Sequence, residues 1–246
     1  MQHRSKKIKK SFFIILVVLI VLSGGSAIYL GNYYHSVDVE KYMNGSSEVS
    51  VEKFDKGWFF DGAGEEKALI FYPGAKVATE AYAPLMYQLA ESGIDCFLVD
   101  MPFHMAFFGM NRAEEIMQEY NYEAWYLGGH SLGGAMAANF VADYVEDHTD
   151  GIRGLLLLAA YPTKDLSTSD MSVVTVYGSE DGVLNMDKIV AGRELMPQDY
   201  KEVCIEGGNH AQFGSYGAQK GDGTAAIPAE EQWARTVEVF VGDESE

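Results

Sequence analysis

A glycine-rich turn between a strand pattern and a helix pattern constrains the fold of this chain more than any other stretch. Residues 125–134 read Trp-Tyr-Leu-Gly-Gly-His-Ser-Leu-Gly-Gly, and residues 135–141 continue with a helix pattern. A serine on so sharp a turn takes a strained backbone, and glycines two positions either side let strand and helix approach closely. The new helix N-terminus then points at any anion formed beside the hydroxyl. The pattern predicts that Ser131 is a nucleophile; the competing interpretation is a serine that only caps the helix.

Length and charge limit the class of protein. The chain has 246 residues, 48% of them hydrophobic, which is enough for one α/β domain with a large core. Five basic residues precede the first carboxylate, at Asp38, and the rest of the chain carries 13 basic against 36 acidic side chains. So acidic a body repels DNA and RNA, and no nucleic-acid partner is expected.

The first 30 residues predict a membrane anchor. Residues 1–10 are basic, and residues 11–30 form an apolar stretch just long enough to cross a bilayer as a helix. Because the basic flank stays in the cytoplasm, a single-pass membrane protein with its acidic body outside the cytoplasm is expected. The alternative is a cleaved signal peptide, processed near residues 25–27, which would release a secreted protein. Residues 31–48 are interpreted as a linker, and residues 49–246 as the folded domain.

That domain alternates strand patterns with helix patterns. Residues 49–60 predict one or two strands. Besides the strand that leads into the turn at Ser131, here called the elbow, strand-like segments of five to seven residues lie at 68–72, 94–99, 154–160, 173–177 and 200–205. Helices are predicted at 79–92, with Thr79 as the cap, and at 111–122, 185–196 and 230–241, besides the elbow helix. Such alternation is typical of a mostly parallel sheet covered by helices on both faces, with its chemistry at the carboxyl ends of the strands.

Two of those strand ends supply partners for the serine. His210 follows the last strand on a glycine-rich loop, at the sheet edge where Ser131 is expected. Asp181 follows the strand at 173–177, with Glu180 as the alternative acid. A serine hydroxyl needs a base within hydrogen-bond reach, and that base needs an orienting carboxylate. The sequence therefore predicts a triad of Ser131, His210 and Asp181; the competing interpretations are a loop histidine and an Asp-Gly turn.

The same edge supplies an oxyanion site and a rim. One main-chain donor is expected at Leu132, and the second in the Pro73–Lys76 loop, at Ala75 or, failing that, Lys76. The apolar loop that follows the strand at 94–99 is predicted to line the substrate pocket, in competition with plain core packing. The residues assigned to this pocket are Met101, Phe103, His104 and Lys76.

Neither a metal nor a cofactor is predicted. No spacing typical of metal ligands, such as Cys-x-x-Cys or His-Glu-x-x-His, occurs in the sequence. Cys96 and Cys204 lie in apolar, strand-like runs, which predicts buried free thiols, with a disulfide as the alternative in an oxidising compartment.

These motifs together resemble the α/β-hydrolase superfamily over about residues 50–242, and within it the small lidless bacterial hydrolases of the fold-5 type, related to dienelactone hydrolases. The resemblance implies an α/β-hydrolase fold, a triad of Ser131, Asp181 and His210, and an oxyanion hole of Ala75 and Leu132. Many relatives have His-Gly where this chain has Pro73-Gly74. The link between the strands ending at Ala160 and beginning at Val173 is too short for the cap domain of lidded relatives, so an open site is expected.

The expected activity is hydrolysis of a carboxylic ester or a similar acyl bond in a small molecule, through an acyl-enzyme on Ser131. Acyl transfer to another acceptor, thioester hydrolysis and peptide hydrolysis would use the same residues. A membrane-tethered scaffold that kept the fold without catalysis is the rival from another class.

Overall fold

The computed structural model describes residues 25, 31–148 and 151–243. The chain divides into two compact units, residues 1–33 and 34–246. Apart from Gly25, the predicted membrane anchor lies outside the described residues. Within the described ranges, no helix has the length and apolar character needed to cross a membrane.

The larger unit is built on one eight-stranded sheet in the order β1-β2-β4-β3-β5-β6-β7-β8. Strands β1 and β2 form an antiparallel hairpin at one edge, β2 pairs antiparallel with β4, and all the other pairings are parallel. The predicted mostly parallel sheet is therefore confirmed. The strands are β1 Ser50–Phe54, β2 Gly57–Asp61, β3 Lys67–Tyr72, β4 Asp95–Val99, β5 Ala124–His130, β6 Ile152–Leu158, β7 Ser172–Gly178 and β8 Tyr200–Ile205.

The helices lie close to their predicted positions, with one correction. Thr79 does not cap a helix; it begins a 3₁₀ turn, Thr79–Tyr82, and the regular helix starts at Ala83. Pro84 explains the late start, because proline fits the first turn of a helix and no later turn. The described helices are α1 Glu40–Met43, α2 Ala83–Glu91, α3 Arg112–Glu119, α4 Leu132–Asp147, α5 Met186–Gly192 and α6 Ala229–Asp243.

Two apolar clusters cover the two faces of the sheet. Along β3, Leu69 and Phe71 enter one cluster, whereas Ala68, Ile70 and Tyr72 enter the other, as the two-residue period of a strand requires. Helices α2 and α6 complete the first cluster, and α3 and α4 complete the second. Because every central strand is buried on both faces, loops at the strand ends are where polar side chains can meet.

Residues 34–48 belong to the larger unit, although the sequence predicts a linker there. Tyr34 forms a parallel bridge with Val77, and its N–H donates to the carbonyl of Lys76 over 2.7 Å. Val39 and Val49 are buried in the first cluster. The unit therefore begins earlier in the chain than residue 49, because apolar residues of this segment have core positions to fill.

The link between β6 and β7, residues 159–171, contains no helix or strand. As predicted, this link holds no cap domain. Both cysteines are free thiols. Cys96 is buried as predicted, but the prediction for Cys204 is wrong: it is exposed, because β8 is an edge strand with little covering it.

Candidate active site

Ser131 is the single residue between β5 and α4, and its backbone is strained. Its φ of 53° and ψ of −120° place a non-glycine residue in a conformation that costs about 1–3 kcal/mol. The Ser131 N–H donates to the Leu158 carbonyl over 2.9 Å, which ties the turn to the neighbouring strand β6. The Ser131 hydroxyl does not cap α4. The cap interpretation is therefore wrong, and the hydroxyl is left for another role.

Glycines allow the close approach of helix and strand at this turn. A Cβ at Gly133 would lie 2.1 Å from the Tyr72 carbonyl oxygen, and one at Gly129 would lie 2.5 Å from the Gly133 carbonyl carbon. A Cβ at Gly134 would lie 2.5 Å from that of Ala160. Each distance is far below van der Waals contact, so any larger residue would push α4 away from the sheet.

Substituting Gly133 by alanine is expected to destabilise the fold by about 3 kcal/mol, because the new methyl group meets two backbone carbonyls that cannot move independently. The urea unfolding midpoint measures the loss. Gly242→Ala is the matched control: it is an exposed position of α6 with nothing within 4 Å, so it should be neutral or stabilising by up to about 1 kcal/mol. An unchanged midpoint for Gly133→Ala would contradict the close approach.

His210 is held at the end of β8 with its ring almost completely buried. It is 1% exposed, and its Nδ1 lies 2.8 Å from Asp181 Oδ2. A carboxylate at Nδ1 requires the proton on that nitrogen, which leaves Nε2 as the acceptor. The Nε2 atom has no hydrogen-bond partner among the described residues. The ring is therefore oriented as a general base requires.

Asp181 is fixed by the loop that follows β7. Its Oδ1 accepts hydrogen bonds from the Val183 and Leu184 N–H groups, both at 2.8 Å. Its Oδ2 is left for His210. Glu180, the alternative acid, is exposed and contacts the Ser179 hydroxyl instead. The acid loop thus directs Asp181, and not Glu180, at the imidazole.

Asp222, a carboxylate that the sequence analysis did not identify, joins the loop that carries Asp181 (the acid loop) to the loop that carries His210 (the histidine loop). Asp222 Oδ1 accepts from the N–H groups of Gly182 and His210, at 3.1 and 3.2 Å, and Oδ2 accepts from Ala211 at 2.8 Å. The only sequence signal for this role is the surrounding Gly221-Asp222-Gly223, which is also an ordinary turn pattern.

Gln232 of α6 holds the histidine loop from the other side. This side chain is fully buried and makes two hydrogen bonds to the backbone of Asn209, at 3.0 Å to its N–H and 2.8 Å to its carbonyl. Gly208 has to be a glycine here, because its Cβ would lie 2.7 Å from Gln232 Oε1. The residues flanking His210 are therefore anchored on both sides.

Ser131 and His210 line one cleft of about 240 Å³. No hydrogen bond joins the Ser131 hydroxyl to His210 Nε2 in this structure. Catalytic hydrogen bonds are often long in the absence of substrate and tighten when it binds. The structure thus brings Asp181 and His210 into contact and places Ser131 in the same cleft as His210. The other walls are Leu132, Ala135, Ala159, Ala160, Tyr161, Val183, Leu184 and Asn185.

Main-chain donors for an anion lie in two segments. Leu132 is the first residue of α4, so its N–H has no partner within the helix. Among the described residues, the Ala75 N–H has no acceptor either. The alternative donor, Lys76, is excluded, because its N–H donates to the His104 carbonyl over 2.7 Å. Of the predicted donors, Ala75 and Leu132 therefore have amides that no described group engages, whereas Lys76 does not.

Tyr82 and His130 connect the loop that holds Ala75 to the ring of His210. The buried Tyr82 hydroxyl accepts the Gly74 N–H over 3.0 Å and lies 2.7 Å from His130 Nδ1. The centroids of the His130 and His210 rings are 4.4 Å apart. Burial, and then the neighbouring His210, hold the pKa of His130 well below its usual value, so His130 stays neutral. Sequence reasoning missed both roles, because nothing in the pattern pairs Tyr82 with the elbow.

Substituting Tyr82 by phenylalanine is expected to lower kcat about tenfold with little change in KM, because Gly74 loses the partner that orients the adjacent Ala75 amide. Tyr72→Phe is the control, because the Tyr72 hydroxyl is equally buried and also has two hydrogen-bond partners. It accepts the Ala113 N–H and donates to the Met110 carbonyl, so it does not touch the loop that holds Ala75. Both variants should lose similar stability, measured by urea unfolding. Equal losses of kcat in the two variants would contradict a role in positioning Ala75.

The predicted substrate pocket needs correction. None of its four assigned residues lines the Ser131 cleft. Met101 is buried in the second core cluster, as the competing interpretation expects. His104 and Lys76 bond to each other through their backbones, and burial lowers the pKa of the His104 ring. Phe103 is 58% exposed to solvent. The sequence could not separate these outcomes, since a loop rich in Met and Phe suits either a core or a rim.

Comparisons with known proteins agree with this fold. A family model described as "Alpha/beta hydrolase family" matches residues 68–234. An esterase/lipase from an uncultured bacterium superposes with a TM-score of 0.59 at 11% identity, over 85% of this chain and 89% of that one. Est1E from Butyrivibrio proteoclasticus gives 0.55 at 15% identity, over 81% of this chain and 100% of its own. The carboxylesterase CesB from Bacillus subtilis gives 0.56 at 9% identity, over 83% and 96%.

At these identities the likeness shows the fold alone. No curated protein matches the chain.

Proposed function

Because this chain belongs to the α/β-hydrolase family, we propose that it is a serine hydrolase that cleaves a carboxylic ester or similar acyl bond. The observation that carries the proposal is the Asp181–His210 contact of 2.8 Å. The Nε2 of this histidine has no hydrogen-bond partner in the described part of the chain, and the ring shares a cleft with Ser131. A scaffold without catalysis has no need of this arrangement.

The proposed reaction has two steps. The Ser131 hydroxyl attacks the carbonyl carbon while His210 Nε2 accepts its proton, and the N–H groups of Leu132 and Ala75 stabilise the oxyanion. The intermediate collapses as His210 returns the proton to the leaving alkoxide, which gives an acyl-serine. Water then attacks the acyl carbon while His210 accepts its proton, and His210 passes that proton to the Ser131 oxygen as the C–O bond of the acyl-serine breaks and the acid leaves.

His130 has a part in the energetics of this cycle. His210 becomes positively charged in both transition states, and Asp181 stabilises that charge at 2.8 Å. A second charged imidazole at a ring separation of 4.4 Å would oppose it. Because burial keeps His130 neutral, His210 can accept the proton without that repulsion.

The cleft favours a small apolar acyl group. Its walls near Ser131 are mostly alanine, leucine and valine, and its volume of about 240 Å³ suits a short chain. A panel of p-nitrophenyl acetate, butyrate and octanoate, with a matched thioester and a peptide, assayed on the full chain tests the proposal. Hydrolysis of the esters and its loss in Ser131→Ala are expected. Preference for the thioester or the peptide would replace the ester assignment, and no turnover of any substrate would favour the scaffold.

We further propose that the protein is anchored in the cell membrane through residues 11–30, with the hydrolase unit outside the cytoplasm. The basic flank and the apolar stretch carry this proposal. Retention of the intact chain in membranes washed with alkaline carbonate is expected. Recovery of a shortened, soluble chain would indicate the cleaved signal peptide instead.

A further inference from the structure

The exposed apolar side chains of the larger unit are concentrated on one edge of the sheet. Six of them lie in segments that follow the carboxyl ends of β4 and β7, and Val37 bonds through its backbone to Ser215, beyond the histidine loop. This is also the edge that carries Ser131 and His210. Among the described residues, the large hydrophobic side chains exposed to solvent are Val37, Phe103, Phe107, Phe108, Val183, Met186 and Val190.

Three phenylalanines form the centre of this surface. Phe103, Phe107 and Phe108 are 58%, 66% and 55% exposed, and their rings contact one another with centroids 5.7 and 5.5 Å apart. Phe103 and His104 both have positive φ, at 56° and 54°, which is unfavourable for residues with side chains. A strained loop that holds aromatic rings in water is costly for folding alone, and such strain is found where function requires it.

The chain enters the larger unit at Tyr34, which two backbone hydrogen bonds connect to the loop that holds these rings. The Tyr34 N–H donates to the Lys76 carbonyl, the Lys76 N–H donates to the His104 carbonyl, and His104 adjoins Phe103. Only residues 31–33 separate Tyr34 from the apolar stretch ending at Leu30. Even a fully extended chain spans at most about 14 Å over that separation. The end of the apolar stretch is therefore tethered to Tyr34 by no more than that length of chain.

We propose that this edge docks on the lipid bilayer that holds the N-terminal stretch, with Phe103, Phe107 and Phe108 in the interface. Docking rests on the anchor proposed above, and the second part of the inference rests on the proposed function: the substrate is an acyl ester of an amphiphile, drawn from the bilayer into the Ser131 cleft. Val183 is exposed on this surface and also lines that cleft, so the apolar surface continues into the site. Aromatic side chains are suited to the interface between the lipid headgroups and the acyl chains.

Lipid contact can be measured without any catalysis. Phe107→Trp, made in the full chain and reconstituted in phosphatidylcholine vesicles, is expected to lose at least about twice as much tryptophan fluorescence to brominated lipid as Ser92→Trp does. Ser92 is an exposed residue at the end of α2, on the opposite edge of the sheet. The wild-type chain corrects for Trp58, Trp125 and Trp233. Equal quenching of the two variants overturns docking. Docking is also overturned if a second copy of the chain, seen as a cross-linked dimer, shields the tryptophan of Phe107→Trp from the brominated lipid.

Activity tests the substrate class separately. The double variant Phe107→Ser/Phe108→Ser should hydrolyse water-soluble p-nitrophenyl butyrate at the wild-type rate, but the butyrate ester of a long-chain alcohol held in the vesicles about tenfold more slowly, because the short acyl group fits the cleft and only the alcohol tail differs. Equal rates on the vesicle ester would overturn the substrate class. If the wild-type chain cleaves neither ester, the proposed function fails, while the quenching result still decides whether the edge contacts lipid.

Discussion

Replacing Ser131 by glycine is expected to abolish ester hydrolysis and to stabilise the fold. The loss of the nucleophile should lower kcat by about 10⁴-fold or more, since what remains is binding and the oxyanion donors alone. Glycine accepts a φ of 53° without the steric cost borne by serine, so the free energy of unfolding should rise by about 1 kcal/mol. Steady-state kinetics and urea unfolding of the same preparation measure the two effects.

Ser131→Ala separates the two effects. Alanine also removes the hydroxyl but keeps a Cβ, so this variant should be as inactive as Ser131→Gly and no more stable than the wild type. If both variants kept the wild-type rate, Ser131 would not be the nucleophile. If Ser131→Gly were less stable than Ser131→Ala, the strain inferred at the elbow would be absent.

Asp181→Asn is expected to lower kcat by about 10³–10⁴-fold without unfolding the protein. Val183 and Leu184 each donate an N–H to Asp181 Oδ1, so an asparagine has to place its carbonyl oxygen there. Its NH₂ group then faces His210 Nδ1, which can only accept. The imidazole proton moves to Nε2, and His210 loses the lone pair that accepts the serine proton. Kinetics on p-nitrophenyl butyrate, with circular dichroism to verify folding, test this expectation.

Glu180→Gln is the matched control for that variant. Glu180 is the adjacent carboxylate, exposed and without contact to the imidazole, so its amide should leave kcat within about threefold of the wild type. If Asp181→Asn kept the wild-type kcat and Glu180→Gln lost it, Glu180 would be the acid that orients His210.

Much of the fold was predictable because the central strands carry their own signal. The apolar run of β3 and the glycine-rich end of β5 each identify a buried strand without any information about the loops that connect them. The β8 bounds, Tyr200–Ile205, agree with the sequence pattern residue by residue. The sequence does not show which strand lies at the edge of the sheet. The exposure of Cys204 in β8 therefore becomes clear only from the strand order.

The contacts that support the candidate site were less predictable. Ser131, Asp181 and His210 each follow a strand, so topology alone brings their loops to one edge. Asp222 and Gln232 act through hydrogen bonds to the backbone of the loops that carry Asp181 and His210, and Tyr82 acts through one from the Gly74 N–H. Contacts to the backbone leave no periodic pattern in the order of the side chains. The choice between Ala75 and Lys76 also depended on a backbone bond, that of Lys76 to His104.

Covalent labelling by a fluorophosphonate tests most directly the claim that Ser131, His210 and Asp181 form one proton relay. The full chain is treated with the reagent, and the modified peptide is identified by mass spectrometry. Ser131 of the wild type should be labelled stoichiometrically, while His210→Ala and Asp181→Asn, both folded, should be labelled far more slowly. A chain that hydrolyses esters yet is labelled at another residue, or labelled at Ser131 at the same rate in all three proteins, would contradict the relay.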